Sequence, residues 1–216
     1  SLWAESSLWW SPPPEGAWGL DKSQLGQLPG YSGDLTKRQD EARKLMAEAG
    51  FGPDKPLTIV LSTRDVARYR DVSILLLDQL SKIGVKGELK TVDTAIWSNT
   101  LAKHNYQVAV RSRGQSMDDP DVAFYESFSC GSRNNVDGYC DKETEALIEK
   151  QSMTVDPTER KKIVQEIDRR LQMDVTRPTI TFAALPYCRR SHVKGYVPSM
   201  NSQYSNLRME NVWLDK

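Results

Sequence analysis

One stretch, from residue 57 to residue 92, constrains the fold of this chain more than any other. Its two ends predict strands over Leu57–Ser62 and Val85–Val92, because Pro56 precedes the first and Gly84, at the end of a predicted helix, precedes the second. Apolar residues at helical spacing predict a helix of about 69–83 between them: Val72, Leu75, Leu76, Leu80 and Ile83. Strands joined by a helix are expected to be parallel, with a right-handed crossover. The chain is therefore predicted to be an α/β protein, with Thr63-Arg64-Asp65 at the carboxyl edge of the sheet, where such folds bind ligands.

The rest of the chain also predicts alternating helices and strands. Asp34 or Thr36 can cap a helix that closes at Gly50, and Asp93 can cap another that runs through Lys103. Further strands are predicted over Tyr106–Val110, Pro178–Ala184 and Cys188–Val197, and two helices begin at Asp141 and at Asp156-Pro157. The residues predicted to share the apolar faces of these helices are Ala42, Leu45, Met46, Ala49, Leu147, Ile148, Ile163, Val164, Ile167 and Leu171.

Composition excludes some partners. The 29 basic and 29 acidic residues give no net charge, so the chain lacks the positive surface expected of a nucleic-acid-binding protein. No apolar run approaches the length of a membrane span, and the N-terminal SLWAESSLWW lacks the order of a signal peptide, which leaves open a start downstream of one. The mean hydropathy of -0.57 is low for a free-standing domain and is consistent with a missing partner surface.

The first twenty residues predict an extended segment. They contain three consecutive prolines, which favour polyproline geometry, and four of the six tryptophans: Trp3, Trp9, Trp10 and Trp18. Such large apolar side chains need something to pack against. Either this segment lies across the core of its own chain, or it presents an aromatic patch to a ligand.

The segment from Arg111 to Cys140 is predicted to form the wall of a binding cleft. It directly follows a predicted strand, and it combines polar, acidic and aromatic residues with a cysteine at each end of its last part. A connection this long without a regular pattern is usually functional or cross-linked internally. Asp118, Asp119 and Asp121 surround Pro120 within it and can alternatively form a turn and cap a helix.

Several segments resemble the family 5 solute-binding proteins, which are the dipeptide- and oligopeptide-binding components of ABC importers. They are the helix DLTKRQDEARKLMAEAG, the pair Asp119-Pro120, the run CDKETEALIEKQSMTVDPTERKKIVQEIDRRLQMDVTRP and the closing VKGYVPSMNSQYSNLRMENVWLDK. The resemblance extends from about Trp18 to Lys216 and concerns the C-terminal lobe. It implies one lobe of a periplasmic-binding-protein-like type II fold, a mixed sheet flanked by helices. Residues 1–20 would lie near the hinge, 21–196 would form the ligand-binding lobe, and 197–216 would run back toward the missing N-terminal lobe.

The resemblance also implies a function. We expect a receptor that binds a peptide or another small polar solute in a cleft between two lobes and delivers it to a membrane permease. It would work in the periplasm, or outside the cell and anchored to the membrane in a single-membrane bacterium. The expected partners are the ligand, the permease and the N-terminal lobe of the same protein. We expect neither catalysis nor a cofactor.

For the ligand site, the resemblance points to Arg64 and to the loop after the third strand. In peptide-binding relatives an arginine at the position of Arg64 pairs with the ligand carboxylate; alternatively, Arg64 is a surface residue paired with Asp65 or Asp71. The loop offers Arg113, Gln115, Ser116, Asp118 and Asp119 as ligand-binding residues. Relatives that bind peptides carry Gly-Trp and then an amine-binding aspartate in this loop, where this chain has Ser112-Arg113 and Ser116. A serine cannot offset the charge of a buried ammonium, so a peptide, a sugar, an opine or an anion all remain open as ligands.

Cysteines supply the remaining chemical expectation. Related dipeptide binders carry a cysteine pair at matching positions, so the resemblance implies a disulfide between Cys130 and Cys140; two reduced thiols of a cytosolic protein are the alternative. Cys188 is then expected to be a buried thiol in a strand. These cysteines and the distant His104 and His192 have no zinc-site spacing, so no metal is predicted.

Two other classes of function remain open. Asp118, Asp119, Asp121 and Glu126 could provide the two carboxylates of a glycoside hydrolase. The chain could also be a purely structural interaction domain. Convergence of Arg64, Arg113, Ser116 and Asp118 on one face would favour a receptor, whereas carboxylates facing each other in a pocket would favour catalysis.

Overall fold

The structure is a computed structural model that describes residues 16–31, 33–112, 119–175, 177–180, 188–196 and 210–215. Its helices are α1 (Lys22–Leu25), α2 (Leu35–Glu48), α3 (Ala67–Ser81), α4 (Thr94–Ala102), α5 (Pro120–Phe128), α6 (Lys142–Met153) and α7 (Pro157–Asp174). Its strands are β1 (Leu57–Arg64), β2 (Val85–Val92), β3 (Val108–Val110), β4 (Val193–Lys194) and β5 (Trp213–Leu214).

The chain divides into two compact units. The first is Pro29–Arg111 and contains α2 to α4 with β1 to β3. The second consists of the described residues before and after it and contains α1, α5 to α7, β4 and β5. The sequence predicted a single lobe over residues 21–196 and not two units. The bounds of that lobe stay a prediction.

A parallel sheet with the strand order β2-β1-β3 forms the centre of the first unit. β1 pairs with β2 from Leu57↔Val85 to Arg64↔Val92, and it pairs with β3 from Leu61↔Val108. The predicted α/β class and the parallel pairing of the first two strands are confirmed. β3 starts two residues later than predicted because the Gln107 side chain, not a backbone carbonyl, accepts the Val60 N–H at 2.7 Å. Antiparallel pairing occurs in the separate two-stranded sheet of β4 and β5.

α3 packs against β1 and β2, but its buried stripe differs from the predicted one. Its buried residues are Tyr69 and Ser73, while Leu75 is 63% exposed. The other predicted residues are half-buried: Val72, Leu76, Leu80 and Ile83. The physical reason lies in β2, where Gly87 has no side chain and Leu77 occupies the space that a Cβ atom would fill. The stripe that meets the sheet therefore passes through Leu77 instead of Leu75. The apolar face predicted for α2 is likewise not buried, and Leu45 is 56% exposed.

Helix starts follow the sequence closely. Aspartate side chains cap the first backbone N–H groups of six of the described helices: Asp21, Asp34, Asp93, Asp119, Asp141 and Asp156 at α1, α2, α4, α5, α6 and α7. Gly50 follows α2 with a φ of 84°, the left-handed conformation that favours glycine. α3 differs, because its N-cap is Val66 and no side chain caps it.

The core of the second unit lies between α5, α6 and α7. Its buried members are Phe124, Phe128, Ile148, Val164, Ile167 and Leu171, and the half-buried Trp18, Tyr139, Leu147 and Ile163 pack against it. The inward faces predicted for α6 and α7 are confirmed. The contact of Trp18 with this core supports an N-terminal segment that packs on its own chain, while Trp3, Trp9 and Trp10 lie outside the described residues.

The C-terminal part is less regular than predicted. Residues 178–180 have no strand, and 181–187 lie outside the described part. Of the predicted strand Cys188–Val197, whose last residue is also outside it, Val193–Lys194 is the part that pairs among the described residues, with β5. The prediction of a buried thiol at Cys188 is wrong, because this residue is exposed. It lies before the first residue of β4, and none of the strands in the described part of the chain pairs with it.

Gly195 directly follows β4 and lies close to the chain that leads into β5. Its φ is 73°, and an added Cβ atom would lie 1.8 Å from the carbonyl oxygen of Asn211. Gly195→Ala is therefore expected to open this pair locally, at a cost of at least about 1 kcal/mol. Amide hydrogen exchange at Asp215, which donates to the His192 carbonyl at 2.8 Å, measures the opening.

The matched control for this change is Gly138→Ala. Gly138 has a φ of 71°, but no atom approaches its missing Cβ atom within 4 Å, so only the conformational cost applies. Unchanged exchange at Asp215 in Gly195→Ala would contradict the expected steric conflict with Asn211.

Candidate functional site

The carboxyl edge of the parallel sheet in the first unit positions Arg64. It is the last residue of β1, and the backbone immediately after it is fixed because the Asp65 N–H donates to the Val92 carbonyl at 2.9 Å. The buried Thr63 hydroxyl donates to the Val110 carbonyl, also at 2.9 Å. The ends of all three strands are thus tied together around Arg64, so its backbone is well anchored.

Tyr69, in the first turn of α3, orients two arginines at this edge. Its hydroxyl oxygen accepts hydrogen bonds from Arg64 Nη2 at 2.6 Å and from Arg68 Nη2 at 2.8 Å. Each guanidinium carbon also lies 4.7 Å from the centroid of the Tyr69 ring, within the range of a cation–π contact. Tyr69 itself is only 6% exposed, while Arg64 is half-buried and Arg68 exposed. A buried ring therefore contacts two more exposed cationic side chains.

The acidic neighbours do not pair with Arg64. Asp65 forms its ion pair with Arg70, one helical residue beyond Tyr69. Among the described residues, neither Arg64 nor Arg68 forms a salt bridge with a carboxylate. The alternative of a surface arginine paired with Asp65 or Asp71 is therefore not what the structure shows. The ligand role of Arg64 stays a prediction.

Asp119 belongs to a hydrogen-bonded network at the start of α5. Its carboxylate accepts from the Asp121 N–H at 2.9 Å and from both terminal nitrogens of Arg160, at 2.5 and 2.9 Å. Arg160 Nε donates to Gln151 at 3.1 Å, and Gln151 donates to Asp121 at 2.5 Å. The Arg160 guanidinium also lies 4.9 Å from the ring centroid of Trp18. These contacts of the Asp119 network join α5, α6, α7 and the N-terminal segment.

Charge and burial act in opposite directions on Asp119. Burial raises the pKa of its carboxyl group, but the hydrogen bonds from Arg160 and from the Asp121 N–H, with the charge of Arg160, outweigh burial and lower the pKa below its usual value. Asp119 is therefore an ionised, structurally engaged group. This arrangement matches the helix-capping interpretation of Asp119, and Asp121 is engaged with Gln151. A ligand contact of Asp119 stays a prediction.

The other predicted ligand residues are Arg113, Gln115, Ser116 and Asp118, and all four lie outside the described residues. Their convergence with Arg64 on one face therefore also stays a prediction.

The disulfide between Cys130 and Cys140 is present, with 4.8 Å between the Cα atoms. The loop that it closes is also held by hydrogen bonds. The buried Asn135 donates to the carbonyls of Ser129 at 3.1 Å and Tyr139 at 2.6 Å. At the start of the loop, the Cys130 N–H donates to Glu145 of α6 at 3.0 Å. The loop thus has a defined internal structure besides its cross-link.

A second set of contacts fastens this loop to the end of α7. Arg177 lies 4.4 Å from the Phe128 ring centroid, donates to Asn135 at 3.0 Å and pairs with Asp137. Tyr139 donates to Asp174 at 2.7 Å. Burial, followed by the hydrogen bond to this carboxylate, raises the pKa of Tyr139 to about 12. Asn135 is thus bonded on both sides, by its own loop and by Arg177.

Several of these residues were not predicted from sequence. Arg68 and Tyr69 carry a local signal, because arginine, tyrosine and arginine follow each other just after the loop of β1. Arg160, Gln151 and Arg177 carry none, since their partners are far away in the chain. Within the described ranges, no group of three or more His, Cys, Asp or Glu side chains could hold a metal ion, and no helix has both the length and the apolarity to cross a membrane.

Known proteins resemble this chain over nearly its whole length. The periplasmic oligopeptide-binding protein OppA of Salmonella typhimurium is 23% identical over 197 residues, which is 91% of this chain and 36% of OppA. The probable D,D-dipeptide-binding periplasmic protein DdpA of Escherichia coli is 23% identical over 189 residues, or 86% of this chain and 35% of DdpA. The chain spans about a third of the length of these relatives.

Solved structures show the same fold. OppA of Burkholderia pseudomallei superimposes with a TM-score of 0.75 at 21% identity, over 87% of this chain and 37% of that one. NikA of Staphylococcus aureus, solved in complex with Ni(L-His)2, gives a TM-score of 0.62 at 22% identity, over 76% of this chain and 35% of that one. The family described as bacterial extracellular solute-binding proteins, family 5 Middle, matches residues 10–135, which is more than half of the sequence. The chain therefore belongs to the family 5 bacterial extracellular solute-binding proteins.

Proposed function

We propose that this chain is a ligand-binding part of the substrate-binding component of an ABC importer. The component binds a short peptide, or another small polar solute with an anionic end, outside the cytoplasmic membrane and delivers it to a membrane permease. Its cleft is completed by an N-terminal lobe that is not part of this sequence, in line with a chain that spans about a third of its relatives. Family membership supports the binding role, since members of this family are solute-binding proteins.

The proposal rests mainly on the position and the side-chain contacts of Arg64. It lies at the carboxyl edge of a parallel sheet, its backbone is fixed, and among the described residues it has a tyrosine but no carboxylate as partner. A guanidinium in this state can donate two parallel hydrogen bonds to a ligand carboxylate. The edge is also the place where open α/β sheets bind ligands.

The ligands of similar proteins suggest which class of ligand this chain binds, and Ser116 in the loop after β3 narrows that class. OppA and DdpA are named for oligopeptides and D,D-dipeptides, while the NikA structure contains Ni(L-His)2. Ser116 replaces the aspartate expected to bind a peptide amine, so the charge of Arg64 favours recognition of the anionic end of the ligand. The hydrolase alternative has no support from Asp119 and Asp121, because both are engaged in the Asp119 network. We therefore propose no enzymatic activity.

Native mass spectrometry tests this function. The full-length protein is purified under non-denaturing conditions, and we expect a mass excess that disappears on unfolding and corresponds to a small peptide or another polar solute. Arg64→Gln is expected to reduce the occupied fraction, because an amide replaces the charged fork. Full-length protein without any co-purifying solute, and without a thermal shift on adding mixtures of short peptides, would contradict the proposal.

A further inference from the structure

We propose that Arg68 is a second ligand-binding residue and that Tyr69 positions Arg64 and Arg68 as one oxyanion site. The site takes an anionic group with two or more terminal oxygens, such as a carboxylate or a phosphate. Its place in transport rests on the proposed function, whereas the binding of an oxyanion does not.

The hydrogen bonds give the site its geometry. Two guanidinium groups donate to one hydroxyl oxygen, so an Nη2 atom of each lies within 2.8 Å of the same point. A guanidinium has five N–H donors, and each of these two uses one of them on Tyr69. The two guanidinium groups make no other side-chain hydrogen bond within the described part of the chain, so their remaining donors can bind the oxygens of an anion.

The charges of the two arginines determine which anions the site binds more tightly. Two positive charges held on one ring repel each other, and the negative face of the Tyr69 ring offsets this repulsion only in part. Asp65, the acidic residue next to Arg64, is paired with Arg70 instead. A bound oxyanion would supply the missing negative charge. We therefore expect a dianion to bind more tightly than a monoanion.

The start of α3 is consistent with this arrangement. Aspartates cap α1, α2 and α4 to α7, but the N-cap of α3 is Val66, without a side-chain hydrogen bond. The N-cap of α3 therefore adds no carboxylate near the two arginines.

The two arginines can be observed directly by NMR. The labelled chain is titrated with sodium phosphate at constant ionic strength, and the arginine Nε–Hε resonances are followed. We expect saturable shifts, with an affinity for phosphate higher than for acetate. Arg68→Gln removes a charged donor to the anion, and Tyr69→Phe removes the oxygen that positions both arginines. Each is therefore expected to weaken phosphate binding by about tenfold, which is about 1.4 kcal/mol.

The double variant Asp65→Asn/Arg70→Gln is the matched control. Arg70 lies in the same helical turn and pairs with Asp65, so removing both charges together leaves no unpaired carboxylate beside Arg64 and is expected to change the affinity by less than about twofold. Arg68→Lys keeps the positive charge but removes the planar guanidinium, which can donate two parallel hydrogen bonds. Arg68 is exposed, so the core should not change, and we expect Arg68→Lys to bind phosphate more tightly than Arg68→Gln but less tightly than the wild type.

Equal losses in Arg68→Gln and in Asp65→Asn/Arg70→Gln would overturn the inference, because they would indicate that phosphate responds to any change of surface charge and not to this site. Shifts that do not saturate would also overturn it, as would full affinity in Tyr69→Phe. A full-length protein that carries no solute but whose arginines still bind phosphate would refute the proposed transport function and leave this site intact.

Discussion

Replacing Arg160 with methionine is expected to lower the free energy of unfolding by about 2 to 3 kcal/mol, because it leaves a half-buried carboxylate without its counter-ion. The Arg160 side chain is 18% exposed and that of Asp119 is 34% exposed, so water compensates only part of the loss. Methionine keeps most of the apolar stem that packs near Trp18. Urea unfolding followed by circular dichroism measures the difference.

Arg169→Met provides the control for this change on the same helix. Arg169 pairs with Glu166 on the exposed face of α7, and such exposed pairs contribute at most about 1 kcal/mol. A loss in Arg160→Met no larger than the loss in Arg169→Met would contradict a structural role of the Asp119 network.

The same pair predicts a dependence on pH. The pKa of Asp119 is lowered in the folded state, so its ionised form stabilises the fold above the usual pKa of 3.8, and this stabilisation is lost as the pH falls below that value. The difference in stability between wild type and Arg160→Met is therefore expected to shrink below about pH 4. A difference that stays constant through this range would indicate that the lost stability arises from packing rather than charge.

Local chemistry explains what the sequence could predict. A capping aspartate such as Asp93 or Asp141 acts on backbone N–H groups two or three residues away, so the helix start can be identified from a few residues. The parallel pairing of β1 and β2 follows similarly from the helix between them. The stripe of α3 could not be derived in this way, because it depends on the space that Gly87 leaves on a neighbouring strand.

Contacts between distant residues explain what the sequence could not predict. Arg160 and Asp119 are 41 residues apart, and Arg177 lies 42 residues from Asn135, so one sequence offers no reason to pair them. The exposure of Cys188 depends on which strands cover it, which periodicity does not reveal. For the candidate site, the resemblance identified Arg64, whereas its relation to Arg68 and Tyr69 required the geometry of the folded edge.

Replacing both Cys130 and Cys140 with serine is expected to lower the free energy of unfolding by about 2 to 3 kcal/mol, chiefly because the unfolded chain gains freedom when this short loop is opened. The folded loop should change little. Asn135 still bonds to the carbonyls of Ser129 and Tyr139, and Arg177 still joins it to the end of α7. Urea unfolding should therefore show a loss of stability, while the chemical shifts of Asn135 should stay close to those of the wild type.

Two further variants separate the cross-link from these hydrogen bonds. Cys188→Ser is the control for removing a thiol, and because Cys188 is exposed and unbridged, no change in stability is expected. Asn135→Ala keeps the disulfide but removes the donor of both buried hydrogen bonds, so it is expected to disorder the loop at a cost of about 1 to 3 kcal/mol. If the double serine variant shifted the Asn135 resonances as strongly as Asn135→Ala disturbs its neighbours, the disulfide, and not the hydrogen bonds, would determine the loop conformation.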